Sequence, residues 1–223
     1  ALLKIADVYV EGNRLSNAVQ RLERFFIQHP NDPATGLSHM TLGELRLRQF
    51  YALPEAGKPK STNLLSEAIG HFDVVLQSGS DKDLLGKSWA GRGWALWEWG
   101  ALSGRAFQIK AAGNAFTNAV QELPRSREQA VAQFKVADCL FEGSEHASAI
   151  SNYWAAIKIT TNTVGRDDRL VDRALYQIVR SGVVRLDLPS AGQADSNLLE
   201  WFPNSYYSDR SMLLYGQSLN RQG

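Results

Sequence analysis

Four histidines, one cysteine, two glycine-rich stretches and six tryptophans are the residues of this chain whose chemistry could be put to use. His29, His39, His71 and His146 are dispersed, and none stands at metal-ligand spacing from another His or from the Cys. His71 and Asp73 are two apart, so on a helix they point in different directions. Cys139 lies beside Leu140 on an apolar helical stripe, where a cysteine behaves as a small hydrophobe, and no neighbouring base is in view to make it a nucleophile. Gly91-Arg92-Gly93 and Gly100 to Gly104 lack a preceding strand and a Gly-Lys-Ser/Thr ending, so they do not read as phosphate cradles. Acidic residues are plentiful, but without a cleft they make no catalytic pair. The chain reads as a non-enzyme with no cofactor and no metal.

The tryptophans carry more. At about 100° per residue, Trp89, Gly93 and Leu96 form one helical stripe that packing explains. Trp97 lies about 80° to one side of it, Trp99 about 80° to the other, and Trp94 about 140° away. One buried face cannot hold them all. Trp94 and Trp97 are therefore either contacts for a partner or core residues covered by neighbouring elements.

The elements that position these residues are helices set in a repeated frame. An alanine is followed four residues later by a larger residue, three after that by another apolar residue, and five further on by a proline or its stand-in. The instances are Ala18/Leu22/Phe25/Pro30, Ala68/Phe72/Val75/Ser80, Ala112/Phe116/Ala119/Pro124, Ala149/Tyr153/Ala156/Thr161 and Ala191/Asp195/Leu198/Pro203. Self-similarity at this scale signals stacked helical units that share a continuous core. Alanine, or glycine at Gly43, Gly93 and Gly216, fits where two helices cross closely. Asp195 is out of character in an apolar slot. No alternating Val/Ile/Thr run bounded by hairpin turns competes for a β reading.

The frame divides residues 1–223 into approximate helix pairs 1–32, 33–80, 81–124, 125–163 and 164–203, with a partial unit at 204–223. In the first pair, Leu2, Ile5, Ala6 and Tyr9 precede the polar break Glu11 to Arg14, and Leu15 to Phe26 follow it. The second pair is interrupted from Tyr51 to Asn63, where Pro54, Gly57 and Pro59 predict an inserted loop carrying Lys58 and Lys60. The third pair has a connection stretched by about two helical turns. The fourth turns at Glu142-Gly143-Ser144, and the fifth breaks at Leu188-Pro189-Ser190.

Bulk properties narrow the partner. A hydrophobic content of 44% is enough for a continuous core, and a net charge of +1 argues against nucleic acid. No stretch approaches about 18 consecutive apolar residues, so no transmembrane segment is expected here. A single cysteine leaves the redox compartment open. The chain opens on Ala1 without an initiator Met, and it reads as a piece of a longer protein.

This constellation resembles the tetratricopeptide-repeat family over nearly the whole chain, the third repeat carrying the family's early Trp as Trp89 followed by Gly93. The run from Ala191 to Pro203 with Asn204-Ser205-Tyr206-Tyr207 is similar to members found in bacterial cell-envelope proteins, which would place it in the periplasm or envelope. The resemblance implies an all-α, right-handed solenoid of antiparallel helix pairs, about five plus a terminal helix. Its concave face, built by first helices, would bind a protein or peptide. On that face would fall Trp94 and Trp97, then Glu44 and Arg48, then Phe134, Asp138 and Phe141, then Tyr176 and Arg180. The carboxylate clamp of chaperone-binding members is not matched: Leu3, Asp7, Thr41, Lys87 and Gly91 stand at its places, and only Lys87 fits. The alternatives are self-association through the terminal helix around Met212 to Leu219, or an accessory repeat domain of a larger enzyme or envelope protein.

Overall fold

The computed structural model of the chain describes residues 14–29, 32–79, 81–161 and 167–221. Among them are ten α-helices, one 3-10 helix and no strand. The helices are α1 (Leu15–Gln28), α2 (Thr35–Tyr51), α3 (Thr62–Gln77), α4 (Lys82–Ser103), α5 (Ala106–Glu122), α6 (Arg127–Glu142), α7 (His146–Thr161), α8 (Asp168–Arg185), α9 (Leu188–Trp201) and α10 (Tyr206–Asn220). The chain divides into two compact units, one ending at Glu122 and the other beginning at Leu123, beside the border between the third and fourth repeats. Within each unit, helices consecutive in sequence pack on one another as antiparallel pairs: α2/α3 and α4/α5 in the first, α6/α7 and α8/α9 in the second. The helix expected over Leu2 to Tyr9 lies outside the described residues, so α1 stands as the second helix of its pair.

Every helical position of the frame is buried, none more than 7% exposed. The reason is visible at Phe72 of α3. A Cβ added to Gly43 of α2 would stand 2.7 Å from its ring, and one added to Gly91 of α4 would stand 2.4 Å from it. The phenyl ring thus lies between two first helices, each of which has given up a side chain to admit it. Gly93 of α4 meets Phe116 of α5 in the same way, at 2.8 Å. Mid-helix glycine is about 1 kcal/mol worse than alanine, so these positions are kept for close approach.

Asp195 has its own partner. It is buried on α9 and accepts a hydrogen bond from the Ser211 hydroxyl of α10, while Gly192 of α9 leaves room for Tyr215, whose hydroxyl would lie 2.5 Å from an added Cβ. A carboxylate in the frame is tolerated because the helix packed against it brings serine.

Three boundaries differ from the expectation. The segment between α2 and α3 is not an open loop: Glu55–Lys60 forms a 3-10 helix with Pro59 inside it, Lys58 pairs with Glu55, and the Lys58 ammonium sits 5.9 Å from the centre of the Phe50 ring. The tighter 3-10 turn spares the i→i−4 bond that proline would break. The third connection is not stretched either. The extra residues lengthen α4 to 22, and only Gly104 and Arg105 join it to α5, with Gly104 at φ +63° stopping the helix. The fifth pair breaks at Leu186–Asp187, before Pro189, which sits in the first turn of α9, where its missing N–H is harmless. Asp187 caps that helix, as Asp81, Ser126, Asp167 and Ser205 cap theirs.

Two glycine substitutions separate packing from propensity. Gly91→Ala forces the Phe72 ring to move and should lower stability by about 1–3 kcal/mol in urea unfolding. Gly216→Ala on α10, where an added Cβ meets nothing within 4 Å, should instead be neutral or raise stability by up to about 1 kcal/mol.

Candidate functional site

In the first unit, the outward stripe of α2 is Glu44, Arg48 and Tyr51, spaced i, i+4, i+7, and that of α4 is Lys87, Trp94 and Glu98, spaced i, i+7, i+11. One hydrogen bond and one longer-range electrostatic attraction join these stripes. Glu44 lies within the fields of Arg48 and Lys87, and the Tyr51 hydroxyl donates to Glu98 Oε1 at 3.2 Å. The two first helices therefore run in the same sense, side by side. Glu44 and Arg48 are exposed. Loss of surrounding water raises the Glu44 carboxyl above its ordinary range, with Arg48 and Lys87 pulling it back. Lys87 also pairs with Asp83 at 2.5 Å.

Trp94 and Trp97 are both partly buried. Trp94 meets Phe116 edge-on, ring centres 5.6 Å apart and planes at 85°, and packs against the cluster around Phe72. It is at once a core wall and a surface residue. Trp89 is more than packing too. It lines a cleft of about 440 Å³ bounded by α3, α4 and α5, with Asp73, Arg92, Asn114 and Asn118 among its walls. There the Arg92 guanidinium stands 5.8 Å from the Trp89 ring centre and its Nε donates to Asp73 Oδ1 at 2.7 Å.

In the second unit the expected residues divide. Phe134 and Asp138 are not on an open face; both are buried in α6. The Phe134 ring lies 5.2 Å from Tyr153 and 5.0 Å from the Arg173 guanidinium. Asp138 accepts from the Tyr153 hydroxyl and from Lys135 Nζ, each at 2.8 Å. Burial lowers the proton affinity of Lys135, and the Asp138 carboxylate offsets part of that loss. This satisfied polar triad explains why an Asp stands at an inward position. Next to it, Cys139 is buried and its thiol is pushed up to about 12 by burial, which makes it inert rather than nucleophilic.

Phe141, Tyr176 and Arg180 stay partly exposed. Arg180 of α8 covers the Phe141 ring of α6 at 4.8 Å, and Tyr176 of α8 stacks on Tyr207 of α10 with ring centres 5.1 Å apart. First helix meets first helix through paired aromatic and guanidinium groups. Arg173, Tyr207, Lys87, Tyr51 and Glu98 were absent from the expected set. Arg173, Tyr51 and Lys87 could have been found, because each stands seven residues from an expected member of the same helix, and Glu98 because it stands four from Trp94.

The histidines are not as dispersed in space as in sequence. His39 of α2 and His71 of α3 face each other with Nδ1 atoms 3.0 Å apart. Among the described residues, no group of three or more His, Cys, Asp or Glu could hold a metal, and no helix is long and apolar enough to cross a membrane.

No family model and no curated protein sequence matches the chain. Solved structures do. A tetratricopeptide repeat protein from Parabacteroides merdae superposes with a TM-score of 0.69 at 14% identity, over 98% of this chain and 75% of that one. YrrB, described as a TPR protein with an unusual peptide-binding site, gives 0.65 at 16%, over 94% and 89%. BtubC from P. vanneervenii gives 0.63 at 16%, over 99% and 84%. The fold is that of tetratricopeptide-repeat proteins.

Removing the buried partner of Lys135 should be costly. Asp138→Ala is expected to lower stability by about 3–5 kcal/mol, while the double change Asp138→Leu with Lys135→Met should recover most of it in denaturant titrations.

Proposed function

We propose that this chain is a non-enzymatic scaffold that captures a protein or peptide on the outward stripes of its first helices. The observation that carries this reading is the side-by-side alignment, in the first unit, of Glu44, Arg48 and Tyr51 with Lys87, Trp94 and Glu98. Both signs of charge stand there beside a large, partly exposed indole, the composition of an interaction hot spot. Trp97 flanks the same stripe. In the second unit, Phe141, Tyr176 and Arg180 offer a second stripe of the same kind, with Tyr207 stacked on Tyr176 and Arg173 over Phe134. YrrB, a protein of the same fold described as having a peptide-binding site, supports the ligand class. An envelope location enters the proposal through the Phe202-Pro203-Asn204-Ser205 signature alone, whose Ser205 caps α10 and donates to Asp172 Oδ2 at 2.8 Å.

The test is selection of peptides from a displayed random library, followed by affinity measurement on variants. Arg48→Gln with Lys87→Gln removes the two cations without adding like charges beside Glu44 and Asp83, so helicity should hold and the melting temperature should fall by only a few degrees while selected peptides bind at least about tenfold more weakly. Peptides that bind the double variant as tightly as the wild type would place the contact surface elsewhere.

A second reading rests on α10, where Met212, Leu213 and Leu219 are 52%, 62% and 45% exposed. Such a face favours self-association. Light scattering over a concentration series should then show a rising mass that Leu213→Lys abolishes; a constant monomer mass removes this reading.

A further inference from the structure

His39 and His71 approach each other at the tightest point of the first unit. His39 is one helical turn before Gly43, and His71 is next to Phe72, the ring that fills the space left by Gly43 and Gly91. The pair therefore bridges α2 and α3 beside that seat. On the other side, Phe26 of α1 stacks on His39, ring centres 4.2 Å apart and planes 20° from parallel. Three helices, α1 to α3, thus meet at one imidazole pair.

A separation of 3.0 Å between two Nδ1 atoms is a hydrogen bond, and it holds one hydrogen. In the neutral pair, one ring carries the proton at Nδ1 and the other accepts it. A first added proton goes to an Nε2 and leaves the shared bond intact. A second cannot be accommodated: both Nδ1 atoms would then be donors, facing each other with like charges.

The surrounding charges sharpen the effect. Arg46 of α2 is the near cation, and it is held by Glu23 of α1 at 2.9 Å and Glu67 of α3 at 2.8 Å. Glu67 also favours a charged His71, and Arg46 disfavours it. Arg92 of α4 is committed to Asp73. His29, at the end of α1, keeps to Phe25 with ring centres 5.4 Å apart.

We propose that the His39–His71 pair is an acid-operated latch, closed while it shares one proton and opened when both rings are protonated, releasing α1 and the α2/α3 crossing together. Burial, seconded by His39 and Arg46, holds the His71 proton affinity down to about 4, and burial lowers that of His39. The sign follows. Folding depresses these values, so the unfolded chain takes up protons first. The latch is fully closed above the ordinary histidine range near pH 6.5 and is lost as pH falls toward about 4. It concerns the stability of the first unit and does not depend on the binding reading above.

The test uses the full chain at pH 7.0, 6.0, 5.0 and 4.5. NMR titration of the imidazoles reports both protonations, and residue-level amide exchange reports opening. In the wild type, protection in α1, α2 and α3 should fall by about tenfold per pH unit below pH 6. His71→Gln, which can still donate to His39, should flatten that slope at least several-fold. Exchange in the second unit, whose carboxylates respond to acid on their own, serves as the internal reference. Imidazoles that titrate between pH 6 and 7 with unchanged protection overturn the proposal, as does an equal slope in the variant. Should His71→Gln fail to fold, the wild-type titration alone decides between these outcomes.

Discussion

The Phe72 ring fits between two helices because each has surrendered a side chain to it, at Gly43 and at Gly91. The rest of the first unit follows from this seat. It sets the separation of α2 and α4, brings their outward stripes alongside each other, and fixes the place where His39 meets His71. Part of the device recurs: Phe116 meets a single such glycine, Gly93, and Tyr153 is the buried aromatic residue at the matching place in α7. Glycine here is a packing device whose helical penalty of about 1 kcal/mol is outweighed by burial of an entire aromatic ring.

The candidate contact surface is the reverse side of this packing. Residues that face second helices are committed to small and aromatic seats, which leaves the opposite stripe of each first helix to vary. In the first unit that stripe carries Glu44, Arg48, Lys87 and Glu98 around the indole of Trp94. Trp94 belongs to both sides, packed at right angles to the Phe116 ring and still partly exposed. Binding there would be read directly by the core beneath.

Much of this was legible in the residues. The frame from Ala18 to Leu198 named buried positions in every repeat, because a small residue followed by a larger one at helical spacing is dictated by close helix crossing. The contact stripe was legible only in part. Periodicity states which direction a side chain takes, not which element arrives to cover it, so Phe134 and Asp138 were placed on an open face although Tyr153, Lys135 and Arg173 close over them. The histidine pair was missed for a related reason: 32 residues separate its members, and no local pattern records a contact made across two helices. At α4 the glycines at 100 and 104 look alike in sequence, yet Gly100 continues the helix against Ile109 while Gly104 ends it.

The bond between Asp195 and Ser211 bears on how such an array can change over time. An aromatic ring on glycine is a general fitting, and any repeat that keeps it can be duplicated or moved beside another. A carboxylate that needs a particular hydroxyl is an address. The fifth repeat can be followed only by a helix that brings serine to that point, and a copy inserted elsewhere would bury an unanswered charge. The last junction of this chain is therefore not interchangeable with the others, and the order of its repeats is written into one hydrogen bond.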